Sequence, residues 1–184
     1  MKSPQRIWTI GHSILPAADF IALLVTHGIE LLADIRRFPA SRRHPRFNRD
    51  SLTGSLAAIG IDYLHFPELG GRREPMPDSV NTGWRESGFR GYADYMQTVE
   101  FQAGIARLLE AASTQRCATM CAEKAWRDCH RGLIADVFKA SGIEVLHIVE
   151  PHRDEQHPYT QPARFVDGIL SYAAVEPVQS RLDL

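Results

Sequence analysis

The thirteen residues Thr119-Met-Cys-Ala-Glu-Lys-Ala-Trp-Arg-Asp-Cys-His-Arg131 decide how the rest of the chain is read. A β-like run, Arg116 to Met120, leads into them. Leu133, Ile134, Val137 and Phe138 follow at helical spacing. The segment is therefore a strand, a loop and the start of a helix. Ordinary connections favour Gly, Pro, Asn, Asp and Ser. This one instead carries Cys121, Glu123, Cys129, His130 and Arg131. It reads as a site, and it leaves the reaction open.

Working outward, the same strand-then-helix alternation recurs. Ile7 to Ile10 reads as a strand ending at Gly11-His12-Ser13. Pro16 is placed to start a helix through Phe20, Leu23 and Leu24, closed by Gly28. Ile29 to Ile35 is a nearly continuous apolar run, as expected of a buried parallel strand, and it ends at Asp34-Ile35-Arg36. Asp50 or Ser51 is placed to cap a short helix that Gly60 stops, and Ile61 to Phe66 is a third strand. Residues 72–87 form a loop long enough to read as a lid. Helices are expected from about Phe89 to Gln97 and from Glu100 to Ala112. After the central segment, Ile143 to Val149 is a fifth strand, and Phe165 to Tyr172 adds one short element.

Five alternations predict an α/β protein with a mostly parallel sheet of about five strands and helices on both faces. The expected organisation is a single domain over 1–184, with a core at about 7–150. Residues 151–184 are a C-terminal extension packed on it. In open parallel sheets, ligands bind beyond the carboxyl ends of the strands. His12, the Asp34 and Arg36 pair, Gly70-Gly71, and Cys121 with Glu123 each fall at such an end. If the strands are parallel, these groups share one edge.

The composition narrows the class. An apolar fraction of 44% with 23% charged residues is that of a globular protein rather than a disordered one. No apolar run approaches the roughly 20 residues of a membrane span, and the N-terminus runs into Ile7-Trp8 without a signal-like apolar region. Three cysteines do not make a secreted disulfide framework, and the chain is read as cytoplasmic. Of the 21 basic residues, 18 are Arg, and six of those lie between Arg36 and Arg49. Arg offers a planar fork of donors matched to phosphate and carboxylate. A genome rich in Arg codons accounts for the overall ratio equally well; the local crowding favours an anion site.

The chemistry implied is an enzyme acting on an anionic substrate, a nucleotide or nucleic acid, with Arg36, Arg42 and Arg131 on the negative charge. Cys121 or Cys129 is the nucleophile or a ligand, and Glu123 or His12 the acid or base. Asp128 is placed to cap the helix that Cys129-His130-Arg131 opens, and a helix N-terminus favours a thiolate. A zinc site of His12, Cys121 and Cys129 stands beside this reading, although Cys-x7-Cys is not a zinc-knuckle spacing. So does a non-catalytic nucleic-acid or nucleotide binding module, built on the loop that holds Phe38, Phe47 and the six arginines. Simpler roles are open too: His12 bonding a backbone carbonyl, Asp34 and Arg36 as a plain ion pair, Gly70-Gly71 as a turn with positive φ, Cys117 as a core residue. Substrate, cofactor and oligomeric state are left open.

Five motifs occur in order: Thr9-Ile-Gly-His-Ser13; Asp34-Ile-Arg36 with Pro39-x-Ser41-Arg42; Leu69-Gly-Gly71; Phe89-Arg-Gly-Tyr-Ala-Asp-Tyr-Met96; and Met120-Cys-Ala-Glu123 with Cys129-His-Arg131. On these the chain resembles the DUF488 family, small bacterial and archaeal proteins of unknown function, from about residue 7 to 172. The resemblance implies a single Rossmann-like domain. It also implies that His12, Asp34, Arg36, Arg42, Cys121, Glu123, Cys129, His130 and Arg131 belong to the family signature. It supplies no reaction.

Overall fold

The computed structural model describes residues 5–174. Strand β1 (Arg6–Gly11) is followed by helix α1 (Ala17–Thr26), β2 (Leu31–Asp34), α2 (Arg49–Ala57) and β3 (Asp62–His65). Two helices, α3 (Ser87–Tyr95) and α4 (Val99–Ala112), lead to β4 (Cys117–Cys121). Helix α5 (Arg131–Ala140) then leads to β5 (Glu144–Glu150). The sheet has six strands in the order β3-β2-β4-β1-β5-β6, all parallel except β6 (Arg153–Gln156), which pairs antiparallel with β5. A short hairpin of β7 (Arg164–Val166) and β8 (Ile169–Ser171) follows. This is the expected α/β fold, consistent with a Rossmann-like single domain, with one strand more than the sequence shows. Strand β6, Arg-Asp-Glu-Gln, has no apolar residue to announce it.

Neighbouring residues of each central strand point to opposite faces, as the pleat demands. Ile7, Leu31, Cys117 and Val145 pack with α3, α4 and α5. Trp8, Leu32, Ala118 and Met120 pack with α1 and α2 through Phe20, Leu24, Leu52 and Leu56. Two apolar cores thus sandwich the sheet.

This layering places the site. The connection after β4 goes to the α3–α5 face, while those after both its neighbours, β1 and β2, go to the other. Chain diverging to opposite faces leaves a crevice at the carboxyl end of β4, where open α/β sheets bind ligands. The register brings the ends level, with Gly11 opposite Cys121 and Asp34 opposite Met120.

Several boundaries differ from expectation. Asn48, not Asp50 or Ser51, precedes α2, and no side chain caps it. Thr98 caps α4 by accepting the Phe101 N–H. The loop before α3 is fastened: the Asp94 carboxylate accepts bonds from Ser79 Oγ at 2.6 Å, Asn81 Nδ2 at 2.8 Å and the Met76 N–H at 2.9 Å. Against the cost of burial, these bonds hold the Asp94 carboxyl below its ordinary range. Among the described residues no helix is long and apolar enough to cross a membrane.

Candidate functional site

Cys121 ends β4 with its side chain on the α3–α5 face. The chain then passes through a single 3₁₀ turn, Trp126–Asp128, before Cys129 and His130 bring it to α5. Three contacts fix this loop. The Trp126 ring lies flat on His147, with centroids 4.7 Å apart and planes 11° from parallel. The Arg131 guanidinium donates to the carbonyls of Glu123 at 2.5 Å and Lys124 at 2.6 Å. Gly11 lies so close beneath that a β-carbon there would stand 1.8 Å from the Glu123 oxygen. The loop returns on itself, so residues eight apart in sequence meet.

What meets is Cys121, Cys129 and His130. Their donor atoms all lie within 4.8 Å of one another. His130 Nδ1 is 3.9 Å from Cys121 Sγ and 3.7 Å from Cys129 Sγ. The opposite ring nitrogen, Nε2, is 3.2 Å from the Ile35 carbonyl. A carbonyl only accepts, so Nε2 carries a proton, and Nδ1 is the ring nitrogen that faces both sulfurs. Gly71 makes room for this ring: a β-carbon there would stand 2.7 Å from Nδ1. Neither Gly70 nor Gly71 has positive φ, so that pair is there for space and not for a left-handed turn.

The two thiols are not equivalent. Burial alone would raise Cys129, but hydrogen bonding from the Cys121 thiol and the charge and N–H groups of Arg131 bring it down to about 7. Its bond to Cys129, and burial, push Cys121 well above the ordinary thiol range. Cys117, wholly buried in the strand, is pushed up to about 12.

Cys121, Cys129 and His130 line the floor of a cavity of about 440 Å³. Its wall includes Arg36, Arg37, Arg72, Glu123, Asp128 and Tyr92. Arg72 has φ +62, a left-handed conformation that is strained in a residue with a β-carbon. The Arg37 guanidinium donates to the Arg72 carbonyl at 3.2 Å, which links these two of the rim's three arginines.

Other expected site residues are placed differently. His12 does not line this cavity. Its ring is 3% exposed and stacks on Phe47 at 4.2 Å, with Nδ1 bonded to the Ser13 carbonyl and Nε2 facing Arg36 Nη1 at 3.2 Å. Burial, and then the Arg36 charge, push it down to about 4, so it is neutral. The grouping of His12 with both cysteines as metal ligands is replaced by one with His130. Asp34 is fully buried, bound to Arg36 Nη2 at 2.6 Å and to Tyr63 Oη at 2.6 Å, and so is not open to a ligand. Arg36 also donates to the Phe47 carbonyl at 2.8 Å and still reaches the cavity wall. Arg131, 2% exposed, is turned into the loop it ties together. Arg42 is exposed and apart from the cavity. Glu123 is exposed on the wall. Asp128 does not cap α5, whose N-cap is His130 with no side-chain capping bond.

Sequence reasoning missed Arg37, Arg72 and Tyr92 as parts of this site, and it put Gly71 at the shared sheet edge without seeing that it makes room for His130. Tyr92 packs its ring 5.0 Å from His130 and donates to the Leu69 carbonyl at 2.6 Å. The signals were present in Leu69-Gly-Gly71 and Phe89-Arg-Gly-Tyr92, but only the fold brings them to the cysteines.

A family model described as a domain of unknown function, DUF488, matches residues 16–138. That span holds every expected site residue except His12. No curated protein and no solved structure matches the chain.

Proposed function

The chain belongs to the DUF488 family, and on that premise we propose that it is an enzyme acting on an anionic, phosphate-bearing substrate, a nucleotide or nucleic acid, in the cavity at the carboxyl end of β4. One observation carries this reading: two cysteine sulfurs and an imidazole form the floor of a cavity whose rim holds Arg36, Arg37 and Arg72. Arg36 is held charged and aimed: burial opposes its charge, and the Asp34 hydrogen bonds more than offset that. Arg37 and Arg72 are exposed on that rim, and the Arg37 guanidinium has donors to spare beside its bond to the Arg72 carbonyl. Charge-assisted forks of this kind suit phosphate oxygens. Glu123, exposed on the same wall, is placed to move a proton between substrate and solvent.

The test uses the full chain. Binding of inorganic phosphate, nucleoside monophosphates and a short oligonucleotide is measured by calorimetry, alongside assays for turnover of the last two. Binding should weaken at least tenfold in the Arg37→Ala/Arg72→Ala double variant, and turnover should vanish in Cys129→Ser. Undiminished binding in the double variant, or full turnover in Cys129→Ser, defeats the reading.

A further inference from the structure

We propose that Cys121, Cys129 and His130 are three protein ligands of a Zn²⁺ ion whose fourth position opens into the cavity. The inference names the chemistry at the floor of that cavity and rests on the reading above only for the use to which the metal is put.

The geometry is specific. A tetrahedral Zn²⁺ with Zn–S of about 2.3 Å and Zn–N of about 2.0–2.1 Å sets sulfur and nitrogen roughly 3.6 Å apart. The two sulfur-to-Nδ1 distances, 3.7 and 3.9 Å, are within a few tenths of an ångström of that edge. Two edges of the ligand triangle therefore already stand near their tetrahedral length, and the sulfur–sulfur edge lies within 4.8 Å.

The tautomer is set correctly as well. Metal-bound histidine characteristically donates its remote N–H to a carbonyl or carboxylate, which fixes the ring and leaves the other nitrogen free to ligate. The Ile35 carbonyl does this for His130. Gly71 and Tyr92 then confine the ring from two sides. Thiolate and imidazole ligands select zinc over the hard cations that prefer oxygen.

The fourth position follows from what is missing from the group. Glu123 and Asp128 line the same cavity, yet neither joins the three ligand atoms in their cluster. Two sulfurs and one nitrogen with an open corner is the pattern of a catalytic rather than a structural zinc site. Water or a substrate oxygen would take that corner, beneath the arginine rim. Both sulfurs bind as thiolates, so loading releases their protons to solvent.

The experiment is metal loading of the full chain. After stripping with a chelator and dialysis against Zn²⁺, one ion per chain is expected by elemental analysis. Co²⁺ loaded in its place should show a thiolate-to-cobalt charge-transfer band and the strong visible bands of a tetrahedral site. Gly71→Ala, which displaces His130 without removing a ligand, should weaken Zn²⁺ at least tenfold, the scale on which ligand support acts. Well under one Zn²⁺ per chain, a Co²⁺ spectrum without the thiolate band, or undiminished affinity in Cys121→Ser/Cys129→Ser overturns the proposal. The first two of these readouts, made on the unaltered chain, need no variant to fold and no substrate to turn over. Phosphate binding without metal would remove the zinc and leave the anion site standing; zinc without phosphate binding would do the reverse.

Discussion

Nη1 of Arg36 lies 3.2 Å from Nε2 of His12, and the other ring nitrogen of His12 is bonded to the Ser13 carbonyl. The Ser13 carbonyl must accept, so Nδ1 is the protonated nitrogen and Nε2 accepts from the guanidinium. This histidine positions Arg36, stands off the cavity lining and is expected to take no part in proton transfer. His12→Gln, which keeps an acceptor, is expected to fold and to bind phosphate as the parent does. His12→Leu leaves a buried guanidinium N–H without a partner and should cost about 1–3 kcal/mol by urea unfolding. If His12→Gln abolishes turnover while binding and stability hold, His12 does chemistry after all.

Arg72 pairs a strained backbone with a functional charge. Its φ of +62 costs about 1 kcal/mol or more in a residue that carries a β-carbon, and glycine escapes this. Arg72→Gly and Arg72→Ala both remove the guanidinium, so both should weaken phosphate binding alike. In thermal unfolding the Gly variant should be the more stable of the two by roughly 0.5–1 kcal/mol. Equal stability would show that the strain is not there.

How much of this the chain disclosed on its own follows from physical range. Ile29 to Ile35 and Cys117 to Cys121 are apolar on both faces, so their places as buried parallel strands were visible locally, and with them the shared edge that collects Cys121 and Glu123. Cys129 and His130 were visible as a cluster, being eight and nine residues from Cys121. What the sequence hid was pairing across the fold. That His130 rather than His12 faces the sulfurs depends on Gly71 leaving room, about 60 residues earlier in the chain. That Arg131 ties the loop depends on two carbonyls, which no residue type reveals. Strand β6 was missed because an edge strand of Arg, Asp, Glu and Gln has no alternating pattern.

Cys117 serves as an internal control for thiol chemistry. It is 0% exposed, pairs in register with Leu31 and has its thiol pushed up to about 12 by burial. Alkylation followed by mass spectrometry should leave it unlabelled in the native protein at pH 8. It should react only as fast as the sheet opens, and fully in denaturant. Rapid native labelling would mean that the core around β4 is not closed.

The buried polar chain at the other side of α5 sets the response to acid. Thr9 Oγ1 lies 2.7 Å from His147 Nδ1, His147 Nε2 lies 2.9 Å from His157 Nδ1, and His157 Nε2 donates to Asp136 Oδ1 at 2.7 Å. Asp136 also accepts from the Thr160 N–H at 2.8 Å and the Tyr172 hydroxyl at 2.9 Å, which binds the segment after β6 to α5. Burial, and then the neighbouring His157 and the arginines, push His147 down to about 2. The sign follows from linkage. Below pH 6.5 the unfolded chain takes up a proton at His147 that the folded chain refuses, so stability falls as the pH drops, by up to about 1.4 kcal/mol per unit. His147→Asn should flatten that slope between pH 6.5 and 5 in urea titrations; parallel slopes would mean that other groups govern it. Asp136→Ala strands several buried donors at about 1–3 kcal/mol each. It should cost more than 3 kcal/mol overall and raise amide exchange in residues 157–172 first. Loss of protection spread evenly over the sheet would show that Asp136 supports the core at large and not the segment it binds.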